Sequence, residues 1–539
     1  MRKITCLPAM LLLTMTTYLC CFSVYSNTNS STVSFLRSQC LNLQLTPLIQ
    51  TSNLDVDVER FVRSSLLVNN LNDLLRVIKS QKVVDQHSLL LNCQIRLSDQ
   101  WHQFLPNVQK KVFIERLRKT GKNDHKQLAD QLKYEVERHG SENYLSQLRI
   151  AEASFKQKQP IKKIIIDSKD KCTTSSNTII TSHKALAQLM LTEKSEHCRK
   201  SVWQKYSRQQ SNIQLLTKVI DLRNQQAKKF DYSNSLQQQL SYNLLTSAKQ
   251  VAYFLNKIED KDKLSPWNIA QALKRADSAK LHYDSNILLL DLLSAMTSFG
   301  ITAEWINPEN IRLWHHQRLL GDVYLKLVNQ PKIKPTLQMM RHPVIGHQFA
   351  QAALILPSSI INEKQLHRLI QKFSLLITNY ADAPHDYLTS RAISNSDYDK
   401  LATIWLNKIL LKKLSNKYIT SSPRSKLAQQ YHQHIELLKS HIALAAYRDI
   451  GTFSYSETIA YPINFSGLIN NGANYYSNLF QNYLANYIIN TSHIAEKEIF
   501  ERLIINETRA PMSRFIQNRL AISSGKHLID EITRVSSKQ

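Results

Sequence analysis

Histidines at short spacings are the first residues in this 539-residue chain that could do chemistry. His342 and His347 flank Pro343-Val344-Ile345-Gly346. Five residues of separation turn two side chains off a common helix face, and Pro343 would disrupt a helix interior. His432, His434, Glu436 and His441 form a second cluster. Residues two apart on a helix point in different directions, so neither group supplies a coherent three-ligand metal site, and a polar helix surface accounts for both. Four cysteines remain beyond the extreme N-terminus: Cys40, Cys93, Cys172 and Cys198. None stands in a C-x-x-C pair, which argues against zinc or redox work at sulfur, and they permit two disulfides in three pairings or four buried thiols. No Ser-His-Asp or Cys-His signature stands out.

Residues 369–380 read Leu-Ile-Gln-Lys-Phe-Ser-Leu-Leu-Ile-Thr-Asn-Tyr. This stretch resembles L-F-H-E-F-G-H-A-L-H, the site helix of the thimet oligopeptidase and neurolysin family of zinc oligopeptidases. That family includes oligopeptidase A, dipeptidyl carboxypeptidase and mitochondrial intermediate peptidase. In H-E-x-x-H the two histidines share a helix face and bind zinc, and the glutamate acts as general base on the metal-bound water. Here Gln371 and Leu375 stand at the histidine positions and Lys372 at the glutamate position.

Flanking segments resemble the family in the same order. Leu215–Leu255 is similar to L-x-x-I-L-x-L-R-x-x-x-A-x-x-x-G-F running on to V-x-x-F-L, and Ser265-Pro266-Trp267-Asn268 to a P-W-D element. Glu304–Pro308 with Leu319–Leu325 is similar to V-W-H-P-D-V followed by L-L-G-x-x-Y-L-D. The family's third ligand, a glutamate about 25 residues past the second histidine, corresponds to Lys400 in Asp397-Tyr398-Asp399-Lys400-Leu401. Phe465–Leu468 and Gly472–Ser477 resemble F-S-H-L and Y-x-A-x-Y-Y-S, with Gly467 at the family's histidine and Tyr475 and Tyr476 kept as candidate substrate-binding residues.

The matches cover about residues 180–535. They imply a mostly α fold of two helical lobes around a deep central channel, with peptide hydrolysis as the ancestral activity. They also imply that no catalytic residue or zinc ligand is retained. The expected chain is therefore a pseudoenzyme that holds no cofactor and binds peptides or a protein partner. Lys372 and Lys400 add the expectation of anionic ligands in the former channel. Two alternatives stay open: a basic binding protein for an anionic polymer or surface, and a metallopeptidase whose site lies elsewhere.

Composition sets the frame for these residues. The formal net charge of +27, from 69 Lys and Arg against 42 Asp and Glu, implies attraction to anionic partners. The basic residues are scattered, and no zinc-finger, RNP or basic-zipper pattern accompanies them. Hydrophobic residues make up 43% of the chain, with only 9 glycines and 14 prolines. That is a globular chain too poor in turn residues for a β architecture. Leu366, Leu369, Ile370, Phe373, Leu376, Ile377 and Tyr380 recur at helical spacing, and Ile287–Phe299 and Ile404–Leu414 read alike.

Three segments follow from the pattern. Residues 1–26 have the layout of a secretory signal, with Arg2 and Lys3 before an apolar run from Leu7 to Val24. A retained membrane anchor or a mitochondrial presequence are the alternatives, and the expected location is secreted or periplasmic, or mitochondrial. Residues 27–180 form an N-terminal helical region that begins with a loose Asn-, Ser- and Thr-rich leader to about 55. It carries helical periodicity in Val56–Leu75 and Val108–Leu148, and a short strand at Ile164-Ile165-Ile166. Residues 181–539 form the metallopeptidase-like domain. No later segment reaches a convincing spanning length.

Overall fold

The computed structural model describes residues 34–48, 50–80, 87–139, 142–157, 163–173, 178–209, 212–259, 265–382, 384–389, 396–418, 421–449, 461–491, 494–507, 509–519 and 525–536. The expected signal segment, 1–26, lies outside them. The fold is mostly α. Five long helices build the N-terminal region: α1 (Leu54–Ser80), α2 (His87–Phe104), α3 (Asn107–Lys119), α4 (Asn123–His139) and α5 (Glu142–Lys156). The part of the expected loose leader that is described is not loose. Residues 34–41 form a helix that buries Leu36 and Cys40 against Leu75, Leu90 and Leu97. A disulfide joins Cys40 to Cys93 in α2.

A two-residue hairpin, β1 (Ile164–Ile165) with β2 (Ile179–Ile180), follows, in line with the strand read at Ile164–Ile166. Next come α6 (His183–Thr192), α7 (Glu196–Gln209), α8 (Ile213–Lys228), α9 (Ser235–Leu240), α10 (Ala248–Lys257), α11 (Ile269–Arg275) and α12 (Ser285–Met296). Ile164, Ile166 and Ile180 share a small core with Leu186, Leu189, Met190 and Val202. A Cys172–Cys198 disulfide closes the same region. Packing thus continues across residue 180.

The sequence reading found no sheet in 300–360, yet five strands stand there: β4 (Ile301–Asn307), β5 (Asn310–His315), β6 (Arg318–Val328), β7 (Thr336–Arg341) and β8 (Ala350–Pro357), in the order β4-β5-β6-β8-β7. All neighbours are antiparallel except β6 and β8. Ile311 and Leu313, Val323 and Leu325, and Ala350, Ala352, Leu354 and Leu356 alternate inward, the period-two pattern of half-buried strands. A small outlying pair joins β3 (Tyr283–Asp284) to β9 (Ser359–Ile360).

Helix α13 (Glu363–Ala381) packs on this sheet. Asn362 caps its first turn by accepting the Gln365 amide at 2.9 Å. All seven apolar residues of the helical stripe are buried in the main core. Tyr380 reaches the sheet and donates to the Asp322 carbonyl at 2.7 Å. Gly321 is needed beneath it, because a Cβ there would lie 2.1 Å from the Ala350 carbonyl oxygen. The rest is helical: α14 (Leu401–Leu414), α15 (Pro423–Arg448), α16 (Gly467–Asn470), α17 (Ser477–Thr491), α18 (Glu496–Phe500), α19 (Met512–Arg519) and α20 (Lys526–Ser536). A π turn at Glu501–Ile505 extends α18. Among the described residues, no helix is long and apolar enough to cross a membrane.

Candidate functional site

The four substituted positions of the zinc-type motif sit on α13 and at the start of α14. Gln371 is exposed, and Lys372 and Leu375 are partly buried on α13. Lys400 is exposed, and its backbone N–H donates to Gln481 at 2.6 Å. Thr378 and Thr403 hydrogen-bond at 2.8 Å and tie the two helices together. Burial pushes the Lys372 ammonium down from the usual lysine range, and Arg368, one turn earlier, pushes it the same way. This set does not fit zinc. Leu375 offers no lone pair, and Lys372 and Lys400 bring amines where a general base and a carboxylate ligand would stand.

The other family-like positions are filled by packing. At Gly467, a Cβ would come within 2.2 Å of Tyr475 Cε2, so the Tyr475 ring occupies the space a larger residue would need. Tyr475 and Tyr476 are both buried. Tyr475 donates to Glu436 at 2.9 Å, and burial holds its hydroxyl far above the ordinary phenol range. Tyr476 donates to Asp397 at 3.0 Å and accepts from Asn243 at 3.2 Å. Both hydroxyls are spent inside the protein.

Asp397 is the electrostatic centre of that network. Its carboxylate accepts from the Leu244 and Leu245 backbone N–H groups at 2.8 and 2.9 Å. Burial nonetheless pushes its pKa up to about 6, against the opposing pull of those hydrogen bonds. Asp397, in the segment read from sequence as a vestige of a ligand site, is a buried brace between α9–α10 and the Gly472–Tyr476 turn.

A cavity of about 470 Å³ opens beside this brace. Ser396, Asn470, Asn471 and Asn474 form one side, and α8 and α9 contribute Arg223, Gln238 and Gln239. The opposite wall is N-terminal, with Tyr134 and Glu137 on α4 and Leu148 and Glu152 on α5. Glu137, Glu152 and Arg223 are paired, and Arg149 is a further cation of the lining. Tyr242 donates to Glu137 at 2.7 Å, and Arg223 bonds Glu152 and the Ile469 carbonyl at 2.7 and 2.8 Å. A wall of amides and phenols with mostly paired charges suits a ligand rich in amide N–H and C=O groups.

The N-terminal wall escaped the sequence reading, because its polar residues come from two helices far from the motif. The cavity lining includes none of the sequence candidates Gln371, Lys372, Leu375, Lys400, Gly467, Tyr475 and Tyr476, although Ser396 and Asn474 line it from beside Asp397 and Tyr475. Two other clusters have metal-like composition. At Cys172, Glu193 and Cys198 the thiols are joined to each other, and Glu193 already accepts from Thr173 and Ser195. The other cluster is His315, His316 and Glu501.

No family model matches the chain, and no curated protein matches it in sequence. Its fold is similar to that of a protein from Bacillus anthracis str. Ames named as an oligoendopeptidase F. The TM-score is 0.49 at 8% identity over 95% of each chain.

Proposed function

We propose that this chain is a non-catalytic relative of the zinc oligopeptidases that binds peptides, or an extended segment of a protein partner, in the cavity between α4–α5 and Asn470–Asn474. The observation that carries the reading is the polar cavity beside two of the family-like segments, with Asn474 from one and Ser396 next to the other. The altered motif supports the loss of chemistry. Without an imidazole or carboxylate at Gln371, Leu375 and Lys400, no water is activated at that helix, and Lys372 cannot replace a glutamate base.

The two disulfides support an oxidising compartment. That agrees with removal of residues 1–26 during export, and N-terminal sequencing of native protein starting at Asn27 is the expected result. A start at Met1 on membranes would mark an anchor instead.

The test of function is calorimetric titration of full-length protein with a library of short peptides, alongside mass spectrometry of the same mixtures. Micromolar binding without cleavage, unchanged by chelator, is expected. Gln238→Trp, which fills the cavity from its wall, should weaken binding at least tenfold. Chelator-sensitive cleavage, or affinity indifferent to Gln238→Trp, overturns the reading. The charge of +27 favours a second reading, an anionic-polymer binder. Polyphosphate binding that falls steeply with salt, with no peptide binding, would establish that alternative.

A further inference from the structure

Three side chains that neither the motif nor the cavity uses converge where the sheet meets the C-terminal helices. His315 ends β5 and is nearly buried, His316 is the first residue of the two-residue loop leading to β6, and Glu501 opens the π turn after α18. His315 Nε2 lies 3.1 Å from Glu501 Oε1, and His316 Nε2 lies 4.0 Å from the same oxygen. All three ligand atoms fall within 4.8 Å of one another. Donors bound about 2.0 Å from a tetrahedral ion stand about 3.3 Å apart, so small rotations of the exposed His316 ring complete the fit.

The backbone departs from ordinary geometry at His316 and in the turn that Glu501 opens. His316 has φ +52° in a hairpin loop position that usually takes glycine or asparagine. Its ring packs on Gly300, where a Cβ would lie 2.6 Å from the imidazole and φ is +76°. Glu501 is set by a π turn, a feature found disproportionately at functional sites, and Asn506 at φ +41° closes that turn. Backbone in sparsely populated conformations clusters where side chains must be aimed. Phe500 backs His315 with ring centroids 6.3 Å apart. The hairpin's Arg318 donates to the Ala381 carbonyl; burial pushes its pKa down, against the opposing charges of Glu507, Asp382 and Glu501.

We infer that His315, His316 and Glu501 bind one divalent transition metal, with a fourth position open to water. Two imidazoles and a carboxylate suit zinc or cobalt(II) better than calcium or magnesium, which prefer all-oxygen shells. The ion would clamp the β5–β6 hairpin to the C-terminal helices, a connection independent of the peptide cavity.

The test uses full-length protein stripped with chelator and titrated with cobalt(II) and then zinc. One cobalt per chain with the visible absorption of a tetrahedral N/O site is expected, displaced by one zinc. His316→Gln changes an exposed side chain and should weaken binding at least tenfold, as should Glu501→Gln. His432→Gln, an exposed histidine elsewhere, should leave binding unchanged. Absence of stoichiometric binding overturns the inference, as does binding insensitive to both site variants. Far-ultraviolet circular dichroism of each variant separates a lost ligand from a lost fold.

Discussion

Gly467, set by sequence likeness against a peptidase histidine, leaves no gap in the packing. Tyr475 fills the volume beside Gly467 and is anchored to Glu436. Gly467→His should therefore cost about 1–3 kcal/mol through overpacking, read as a lower urea midpoint with an unchanged slope. Adding Tyr475→Ala should recover part of that loss by freeing the space. Asp397 gives a residue-level pH signature. Its folded pKa of about 6 stands above the 3.8 of an unperturbed aspartate, so the folded chain keeps a proton the unfolded chain has released. Stability from this group is complete below about pH 4 and is lost as pH rises through about 6. Urea midpoints measured across that interval should fall, and Asp397→Asn should flatten the trend while lowering stability overall, because an amide replaces one of its acceptor oxygens.

At the scale of elements, α13 was legible in full. Its stripe at Leu366, Leu369, Ile370, Phe373, Leu376, Ile377 and Tyr380 is the buried face observed. The helices α12 and α14 follow the same rule. The sheet was missed although Ala350, Ala352, Leu354 and Leu356 alternate plainly. Low glycine and proline content argued against β structure, and Glu304–Leu325 was weighed only for its likeness to a motif. The disulfide pairing was beyond the sequence, since contact between Cys40 and Cys93 depends on how helix 34–41 docks on α2. The cavity was illegible for the same reason: it exists only where distant helices meet. One element-level consequence is testable. The Cys172–Cys198 bridge spans 26 residues, and replacing both with serine should cost about 2–4 kcal/mol. The loss should appear as earlier hydrogen exchange in β1, β2 and the start of α7, with the cavity unaffected.

Across the whole molecule, α5 buries Ala151 and Phe155 in the main core, while α1–α4 join the rest through a partly polar seam. Val62 and Leu66 of α1 pack with Val344 and Tyr387. Tyr387 donates to the buried carboxylate of Asp73, Asn70 and Gln348 exchange a 2.8 Å hydrogen bond, and Gln127 bonds the Arg509 carbonyl at 2.9 Å. Tyr387→Phe leaves a buried carboxylate without that donor, at about 1–3 kcal/mol. Limited proteolysis should then cut within α1–α3 first. Because α4 and α5 form one wall of the cavity, the same variant should weaken peptide binding without touching a lining residue.

The paired cysteines have a consequence for the order in which the chain is made. Both bridges close within residues 40–198, and the 539 − 198 = 341 residues that follow contain no cysteine. Every sulfur that must find its mate has left the ribosome before the sheet and the family-like segments beyond it are translated. Mispairing with a thiol in those residues cannot occur, because they contain none. The remaining two-thirds can then collapse against an N-terminal region whose covalent cross-links are already complete.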